Sequence, residues 1–387
     1  PFKGAAHMKK IIVAPDSFKG SISAPDAARA IADGIHEVCP EAQTVIIPIA
    51  DGGEGTLEAL TTPECRMIAP AFNTNGAPAE ALIGYIGNTA VIESARAVGL
   101  GSVPPAERDP ELSTSRGVGS LITAALERGF EKIMLTVGGT GSNDGGAGML
   151  EALGAVFYGR RGRINGIRAR DLADITAIDI SALDRRLFCT GFTVACDVTN
   201  PLTGDNGATF VYGPQKGADG AIIDRLENGM KNYAAKLAAI SRDVSRVPGV
   251  GAGGGIPAPL VAILGARIIP GIDAVLDAAG FDRALTDADL VITGEGRIDS
   301  QSACGKAING VAARAAARGV PVVAVAGQLG DGAEIMLRHG ISDMYSLADT
   351  APDIGYAIAH PAPLLHKTGA AICRDRYIHD DLRRNSI

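Results

Sequence analysis

The sequence contains no tryptophan, and aromatic residues make up only 4% of the chain. Proteins that bind single-stranded nucleic acids stack the bases on aromatic side chains, so this scarcity argues against that class. The formal net charge of -7 points the same way, because nucleic-acid-binding domains carry basic surfaces. We therefore expect no nucleic-acid partner.

Metal-binding cysteine pairs and long apolar runs are also missing. The six cysteines form no C-x-x-C pair, and no cluster of histidine and cysteine has zinc-site spacing. No apolar run approaches the roughly 20 residues that a membrane-spanning helix needs. Scattered cysteines are typical of reduced thiols, so we expect a cytoplasmic protein without a membrane partner. Residues 1–7 precede Met8 and look like an expression remnant, so they are excluded from the fold prediction.

Glycine, in contrast, is abundant. Fifty of the 387 residues are glycine, against a usual share of ~7%. Much of the excess lies in loops that directly follow short apolar runs and are rich in Asp, Asn, Ser or Thr: residues 15–21, 50–56, 138–148, 197–207 and 294–299. Ligands of open α/β sheets bind beyond the carboxyl ends of the strands, so the recurrence of such loops predicts a shared site.

Residues 291–299, V-I-T-G-E-G-R-I-D, are the most informative of these segments. The apolar residues 290–293 predict a buried strand that ends at the first glycine. Glu295, Arg297 and Asp299 would then project into the crevice beyond the strand. Opposite charges this close together suit a metal and a phosphate better than a core. The alternative is a polar turn with a surface ion pair.

Strand-like and helix-like segments alternate along the chain, which is typical of an α/β architecture, and the length suffices for two domains. We predict two α/β domains. One is Rossmann-like, with a parallel sheet built from both chain ends, residues 8–75 and 285–387. The other, residues 76–284, is inserted between them. Locally, Ser23 is expected to cap a helix, and Asn143 to begin a glycine-rich helix.

Seven motifs together resemble a known family, in the order A-P-D-S-F-K-G-S (14–21), A-D-G-G-E-G-T (50–56), T-S-R-G-V-G (114–119), G-G-T-G-S-N-D-G-G-A-G-M (138–149), A-C-D-V-T-N-P-L-T-G-D-N-G-A (195–208), G-P-Q-K-G-A (213–218) and T-G-E-G-R-I-D-S-Q-S (293–302). The chain resembles glycerate kinases of the 2-phosphoglycerate-forming type from about residue 8 to about residue 347. The resemblance implies ATP-dependent phosphorylation of D-glycerate at its 2-hydroxyl, with Mg²⁺, in organic-acid breakdown that feeds glycolysis.

Two alternatives stay open at this stage. The chain could phosphorylate another small hydroxy acid, or it could be a non-catalytic sensor that binds glycerate or nucleotide. A homodimer is compatible with the sequence, which does not fix the oligomeric state.

Phosphoryl transfer requires positioning of the reactants and neutralisation of charge on the phosphoryl oxygens. We predict that backbone N–H groups of a glycine-rich loop at a helix N-terminus cradle the phosphates. The predicted cofactor-binding residues are Gly138, Gly139, Thr140, Gly141, Ser142 and Gly145. The alternative for this loop is a glycine-rich packing turn.

A base is needed to accept the hydroxyl proton, and we predict Asp197 ahead of Asp51. Lys19 is expected to counter the charge of the transferring group, with Lys216 as the runner-up. Glu295 and Asp299 are the predicted Mg²⁺ ligands, because Mg²⁺ is commonly held by one or two carboxylates and phosphate oxygens.

Glycerate carries a carboxylate, which arginine binds in a bidentate manner. Arg297 and Arg116 are the candidate carboxylate ligands, and we assign Arg297 to the catalytic set; Arg116 as a surface residue is the alternative. Ser17, Asp16 and Asn143 complete the predicted substrate-binding set. Spacing does not separate contacts with substrate hydroxyls from contacts with phosphates.

Overall fold

The computed structural model describes residues 10–303 and 307–384. The predicted remnant at residues 1–7 lies outside these residues. The described strands are β1 (Lys10–Pro15), β2 (Gln43–Ile46), β3 (Arg66–Phe72), β4 (Pro78–Ile86), β5 (Thr89–Glu93), β6 (Lys132–Thr136), β7 (Val156–Gly159), β8 (Gly162–Ile164), β9 (Ile175–Asp179), β10 (Gly191–Ala195), β11 (Arg267–Ile269), β12 (Leu290–Ile298), β13 (Val322–Leu329) and β14 (Ile341–Ser346).

Helices connect most of these strands, as the alternating pattern predicted. They are α1 (Ala24–Val38), α2 (Thr56–Leu60), α3 (Ser94–Val98), α4 (Arg116–Glu127), α5 (Ala147–Ala152), α6 (Ala208–Tyr212), α7 (Gly220–Ile240), α8 (Pro257–Leu264), α9 (Gly271–Ala279), α10 (Phe281–Ala284), α11 (Ala307–Ala316), α12 (Ile354–Ala359) and α13 (Pro361–Arg384). Ser23 caps α1 as expected, because its hydroxyl oxygen accepts from the N–H of Asp26 at 3.3 Å. Within the described segments, no helix is long and apolar enough to cross a membrane.

The first compact unit comprises Pro1–Asp51, Glu58–Leu60 and Val275–Ile387. Its parallel sheet has the order β14-β13-β12-β1-β2. Strands of such a sheet are covered on both faces, which is why β1 and β12 contain continuous apolar runs. Helices α1 and α13 pack closely, and Gly34 allows this because a Cβ there would clash with the carbonyl oxygen of His366. The predicted parallel sheet from both chain ends is confirmed.

The second unit comprises Gly52–Leu57 and Thr61–Ala274. Its six-stranded sheet has the order β11-β10-β6-β5-β4-β3. Strands β5, β6, β10 and β11 run parallel to one another, whereas β4 pairs antiparallel with both β5 and β3. A separate antiparallel sheet has the order β8-β7-β9. Buried side chains of β6, β10 and α4 form the centre of this unit's core, including Ile133, Leu135, Val194 and Leu121. This unit is inserted in the first one, as the α/β fold prediction required.

The unit boundaries differ from residues 75/76 and 284/285, which the sequence had suggested. Strand β3 pairs with β4 over its whole length, from Arg66 opposite Gly84 to Phe72 opposite Pro78. It therefore belongs to the sheet of the second unit. Residues 275–284 belong to the first unit. Loop composition gave the boundaries between the two units only approximately, because it does not reveal which strands pair with each other.

Candidate active site

The carboxyl end of β1 lies beside Gly294 of β12 in the parallel sheet of the first unit. The strand order reverses there, because β2 lies beyond β1 whereas β13 and β14 lie beyond β12. Ligands of open α/β sheets bind in the crevice at such a switch point. Asp16 directly follows β1, and its N–H donates to the carbonyl oxygen of Gly294 at 2.8 Å. The fold thus brings predicted residues of two distant loops to one crevice.

A cavity of about 380 Å³ lies at this crevice. Six residues that the sequence singled out line it: Asp16, Ser17, Lys19, Asp51, Glu295 and Arg297. The other described lining residues are Phe18, Ser21, Gly296, Ala307, Gly327, Gln328, Leu347, Ile354, Ala357 and Ile358. The cavity therefore combines a charged set from the strand ends with an apolar set, of which Ile354, Ala357 and Ile358 belong to α12.

The carboxylates of this cavity repel one another. Asp16 is only 8% exposed, and burial raises its pKa to about 6. Asp51 and Glu295 contribute to the raised pKa, while the Ser17 N–H, at 2.6 Å from Asp16 Oδ1, and the charge of Lys19 oppose the shift. The Nζ of Lys19 lies 3.9 Å from Asp51 Oδ2. Such a site is suited to binding a cation.

Strand β12 is longer than predicted, so the expectation that it ends at Thr293 is wrong. It continues to Ile298, with Glu295 opposite Ala326 and Arg297 opposite Gln328 of β13. The glycines do not end the strand, since pairing with β13 continues past both. Close packing also excludes a side chain at Gly294, where a Cβ would clash with the carbonyl oxygen of Val325.

Asp299 differs from Asp16, Asp51 and Glu295, because it is not among the described cavity residues. Its Oδ2 accepts from Arg297 Nε at 3.2 Å, with the arginine 60% exposed. This pair matches the surface ion pair that the sequence left open as an alternative. Glu295 does line the cavity, and its Oε1 accepts from the hydroxyl of Ser302 at 2.6 Å.

In the second unit, the glycine-rich loop surrounds a buried carboxylate. Asp144 is 0% exposed and accepts from the N–H and hydroxyl of Ser115, at 2.6 and 2.8 Å. It also accepts from the N–H groups of Gly146 and Gly148, at 3.1 and 3.0 Å. Burial raises its pKa, although these hydrogen bonds lower it in part. The carboxylate thus occupies the N-terminus of α5, where a phosphate was expected.

The helix itself begins later than predicted, at Ala147 and not at Asn143. Gly145 and Gly146 precede it with φ angles of 64° and 79°. Left-handed residues cannot continue an α-helix, so residues 143–146 form a turn that the glycine content allows.

Much of the predicted phosphate loop bonds within the protein. The N–H groups of Gly141 and Gly145 donate to the carbonyl oxygens of Val98 and Gly254, at 2.8 and 2.9 Å. The hydroxyl of Thr140 donates to the carbonyl oxygen of Val137 at 2.9 Å. These contacts agree with the alternative of a packing turn for this part. Gly138 and Gly139 are exposed, so they remain the predicted phosphate-binding residues of the loop.

Two neighbouring loop side chains are buried with unsatisfied oxygens. Ser142 Oγ and Asn143 Oδ1 have no hydrogen-bond partner among the described residues. Asn143 Nδ2 donates to the hydroxyl of Thr209 at 3.2 Å. The carbonyl oxygen of Ser142 accepts from the Nζ of Lys216 at 2.6 Å. Lys216 is itself buried, and the loss of solvation lowers its pKa to about 8.

The remaining predicted residues lie at other places in this unit. Asp197 is exposed just after β10, and its Oδ1 accepts from the N–H of Gly271 at 2.7 Å. Arg116, the first residue of α4, places its guanidinium 4.2 Å from the ring centre of Phe72. Neither residue lines the cavity of the first unit.

Comparison with known proteins decides the family. A profile described as the glycerate kinase family matches residues 11–376, nearly the whole chain. This chain belongs to the glycerate kinase family. It is 47% identical over 343 residues to a protein of Escherichia coli (strain K12) named glycerate 2-kinase, covering 87% of this chain and 90% of that protein.

Other members of the glycerate kinase family are similar over comparable lengths. A Bacillus subtilis (strain 168) protein named glycerate kinase is 43% identical over 371 residues, covering 94% of this chain and 96% of that protein. A crystal structure from Salmonella typhimurium LT2, provisionally named glycerate kinase 2, superposes with a TM-score of 0.86 at 40% identity. It covers 97% of this chain and 100% of its own, which confirms the predicted fold class.

The buried Lys216 should make the stability of this glycerate kinase family member depend on pH. Its folded pKa of about 8 lies below its unfolded value of 10.5, so the unfolded chain binds more protons between the two. The free energy of unfolding of the wild type, minus that of Lys216→Met, should therefore rise with pH. The expected rise is about 2 kcal/mol from about pH 7.5 to about pH 9.5. Urea unfolding of both proteins across this interval measures the difference. A difference that does not change with pH would contradict the assigned shift.

Sequence patterns did not predict two features of the structure. Asp144 lies within the fourth of the seven motifs, and an acidic residue just before a helix is a common N-terminal signal, but the pattern did not predict its burial. The apolar lining from α12 was missed entirely. Ile354 and Ile358 are four residues apart, a spacing that also occurs in any amphipathic helix, so the sequence held no specific signal for this surface.

Proposed function

We propose that the chain transfers the γ-phosphoryl group of ATP to the 2-hydroxyl of D-glycerate, giving 2-phosphoglycerate and ADP. The observation that carries this proposal is the switch-point cavity, in which Asp16, Asp51 and Glu295 lie with Lys19 and Arg297. Phosphoryl transfer depends on positioning and charge neutralisation, and these residues supply both signs of charge. Membership of the glycerate kinase family and the relatives' names support the same reaction.

Mg²⁺ is part of this proposal. In the segments that the structure describes, no three His, Cys, Asp or Glu side chains could hold a metal alone. The donor set fits the usual mode, in which one or two carboxylates and phosphate oxygens bind Mg²⁺. We propose Glu295, as predicted, together with Asp16, in preference to the Arg297-bound Asp299. The metal would neutralise charge on the phosphate oxygens.

Roles for the other predicted residues follow. Lys19 and Arg297 would face phosphate oxygens, and Ser17 would donate a hydrogen bond at the same cavity. Asp197 is the proposed base, with Asp51 as the alternative. The kcat values of Asp197→Asn and Asp51→Asn are compared, and the larger loss identifies the base. Gly138 and Gly139 of the glycine-rich loop, together with Arg116 and Asn143, are proposed contacts for substrate or phosphate.

A coupled assay tests the reaction and its regiochemistry. D-Glycerate, ATP and Mg²⁺ are incubated with the protein, and enolase is then added without a mutase. Immediate formation of phosphoenolpyruvate is expected, because enolase acts directly on 2-phosphoglycerate. ADP release without phosphoenolpyruvate would indicate phosphorylation of the 3-hydroxyl or of another acceptor.

Absence of ADP release with glycerate would contradict the proposal, and a panel of small hydroxy acids would then test the alternative kinase. Glycerate binding without turnover of any acceptor would favour the sensor. A cytoplasmic location and a homodimer are separate proposals, which cell fractionation and light scattering test.

A further inference from the structure

The switch-point cavity has an apolar surface that phosphoryl transfer to glycerate does not require. We propose that this surface binds the purine base of ATP, with the phosphates extending towards Lys19 and Arg297. The nucleotide site of the protein would then lie in the first unit, and its base-binding residues would come from α12. This inference rests on the proposed function only for the identity of the nucleotide.

The chemistry of the lining separates the two substrates. Every carbon of glycerate bears oxygen, so this molecule gains little from contact with Leu347, Ile354 or Ile358. A purine offers a flat apolar face of matching chemistry. A volume of about 380 Å³ lies in the range of pockets that enclose ligands larger than glycerate, usually with a largely apolar lining and a few polar groups.

Helix α12 is held in place as part of the cavity. Asp353 caps it, with Oδ1 accepting from the N–H of Tyr356 at 2.7 Å. At the other end, the hydroxyl of Ser21 donates to the carbonyl oxygen of Ile358 at 2.6 Å. Ser21 belongs to the loop that follows β1, which also contributes Asp16 and Lys19. The helix is therefore tied directly to the charged loop.

Ile354 and Ile358 are unusually accessible for isoleucines, at 45% and 52% exposure. Their spacing of four residues places them on the same face of the helix, and both line the cavity together with the buried Ala357. Covering exposed apolar side chains of a concave site with an apolar ligand surface is favourable, because it removes apolar area from water. Gln328, at the same cavity, can both donate and accept hydrogen bonds, as recognition of a purine edge requires.

The cationic side chains supply the other half of a nucleotide site. Lys19 and Arg297 are 82% and 60% exposed at the same cavity, so both have the freedom to meet phosphate oxygens. Glycerate carries a single carboxylate, whereas a nucleoside triphosphate carries several charges beside an apolar base. The combination of α12 with these cations fits the nucleotide better than the acceptor.

The test is a double variant, Ile354→Ala with Ile358→Ala, in the full chain. ADP binding with Mg²⁺ is measured by titration calorimetry, and the KM values for ATP and glycerate are measured where turnover occurs. ADP affinity should fall roughly tenfold as apolar contact is lost, and the KM for glycerate should stay unchanged. Inorganic triphosphate, which lacks a base, should bind equally to the variant and to the wild type.

Two control variants remove exposed apolar side chains that do not line the cavity. The controls are Leu337→Ala, outside α12, and Tyr356→Ala, within α12. Leu337 and Tyr356 are 49% and 42% exposed in the wild type. Both should retain wild-type affinity for ADP. Equal losses in the controls would show a general effect of surface truncation and would overturn the proposal.

The other outcomes are also decisive. Unchanged ADP affinity in the double variant, or a rise in the KM for glycerate alone, would overturn the purine site while leaving the proposed function intact. If the double variant loses ADP affinity as expected but the wild type does not phosphorylate glycerate, the proposed function is wrong and this inference stands. Failure of the wild type to bind ADP would overturn the inference.

Discussion

Asp16→Asn is expected to lower kcat for glycerate phosphorylation by at least ~100-fold, because it removes a charge proposed to bind Mg²⁺ beside the transferring group. The same change should not weaken the fold. Burial and the neighbouring Asp51 and Glu295 raise the pKa of Asp16 to about 6, so its ionised form costs stability at neutral pH. The uncharged amide should increase the free energy of unfolding by about 1–3 kcal/mol without metal.

Steady-state kinetics at several Mg²⁺ concentrations and thermal unfolding in chelator measure the two effects together. The variant should lose activity and gain stability, a combination that a merely structural aspartate would not give. Asp33→Asn, on the exposed face of α1 in the same unit, is the matched control and should change neither property. Retention of wild-type kcat by Asp16→Asn would exclude Asp16 from the catalytic site.

Asp144→Ala is expected to reduce the stability of the second unit by about 3–5 kcal/mol, because buried donors would lose their acceptor. The N–H and hydroxyl of Ser115 and the N–H groups of Gly146 and Gly148 all donate to this carboxylate. Asp144→Asn keeps the shape but turns an amide N–H₂ towards some of these donors, so an intermediate loss is expected.

Hydrogen exchange at the amides of residues 115, 146 and 148 reports this loss locally, which avoids the assumption that two units unfold in one step. Asp224→Ala, at an exposed position of α7 in the same unit, should stay within ~0.5 kcal/mol of the wild type. Wild-type exchange rates in Asp144→Ala would mean that the carboxylate is not the anchor of this turn.

Both residues illustrate how far local pattern predicts a site. Asp16, Lys19 and Glu295 were found from the sequence because each follows an apolar run; Asp16 and Lys19 lie in the loop after β1, whereas Glu295 lies within β12. Asp144 also lies in the loop that follows β6, just before α5, but the fold buries it completely. Pattern alone could not distinguish a loop carboxylate that faces a ligand from one that satisfies the backbone of its own unit.

The sequence by itself determined the α/β class, the two-domain plan, the family and most of the charged residues at the switch-point cavity. These properties depend on the order of apolar runs, turn residues and charges, which is local information. Only the tertiary structure decided that β12 continues past its glycines, that β3 belongs to the second unit, and that α12 lines the cavity. Each of these depends on contacts between segments distant in the chain, and the hydrogen bonds and burial that fix such contacts arise only once the partners are in place.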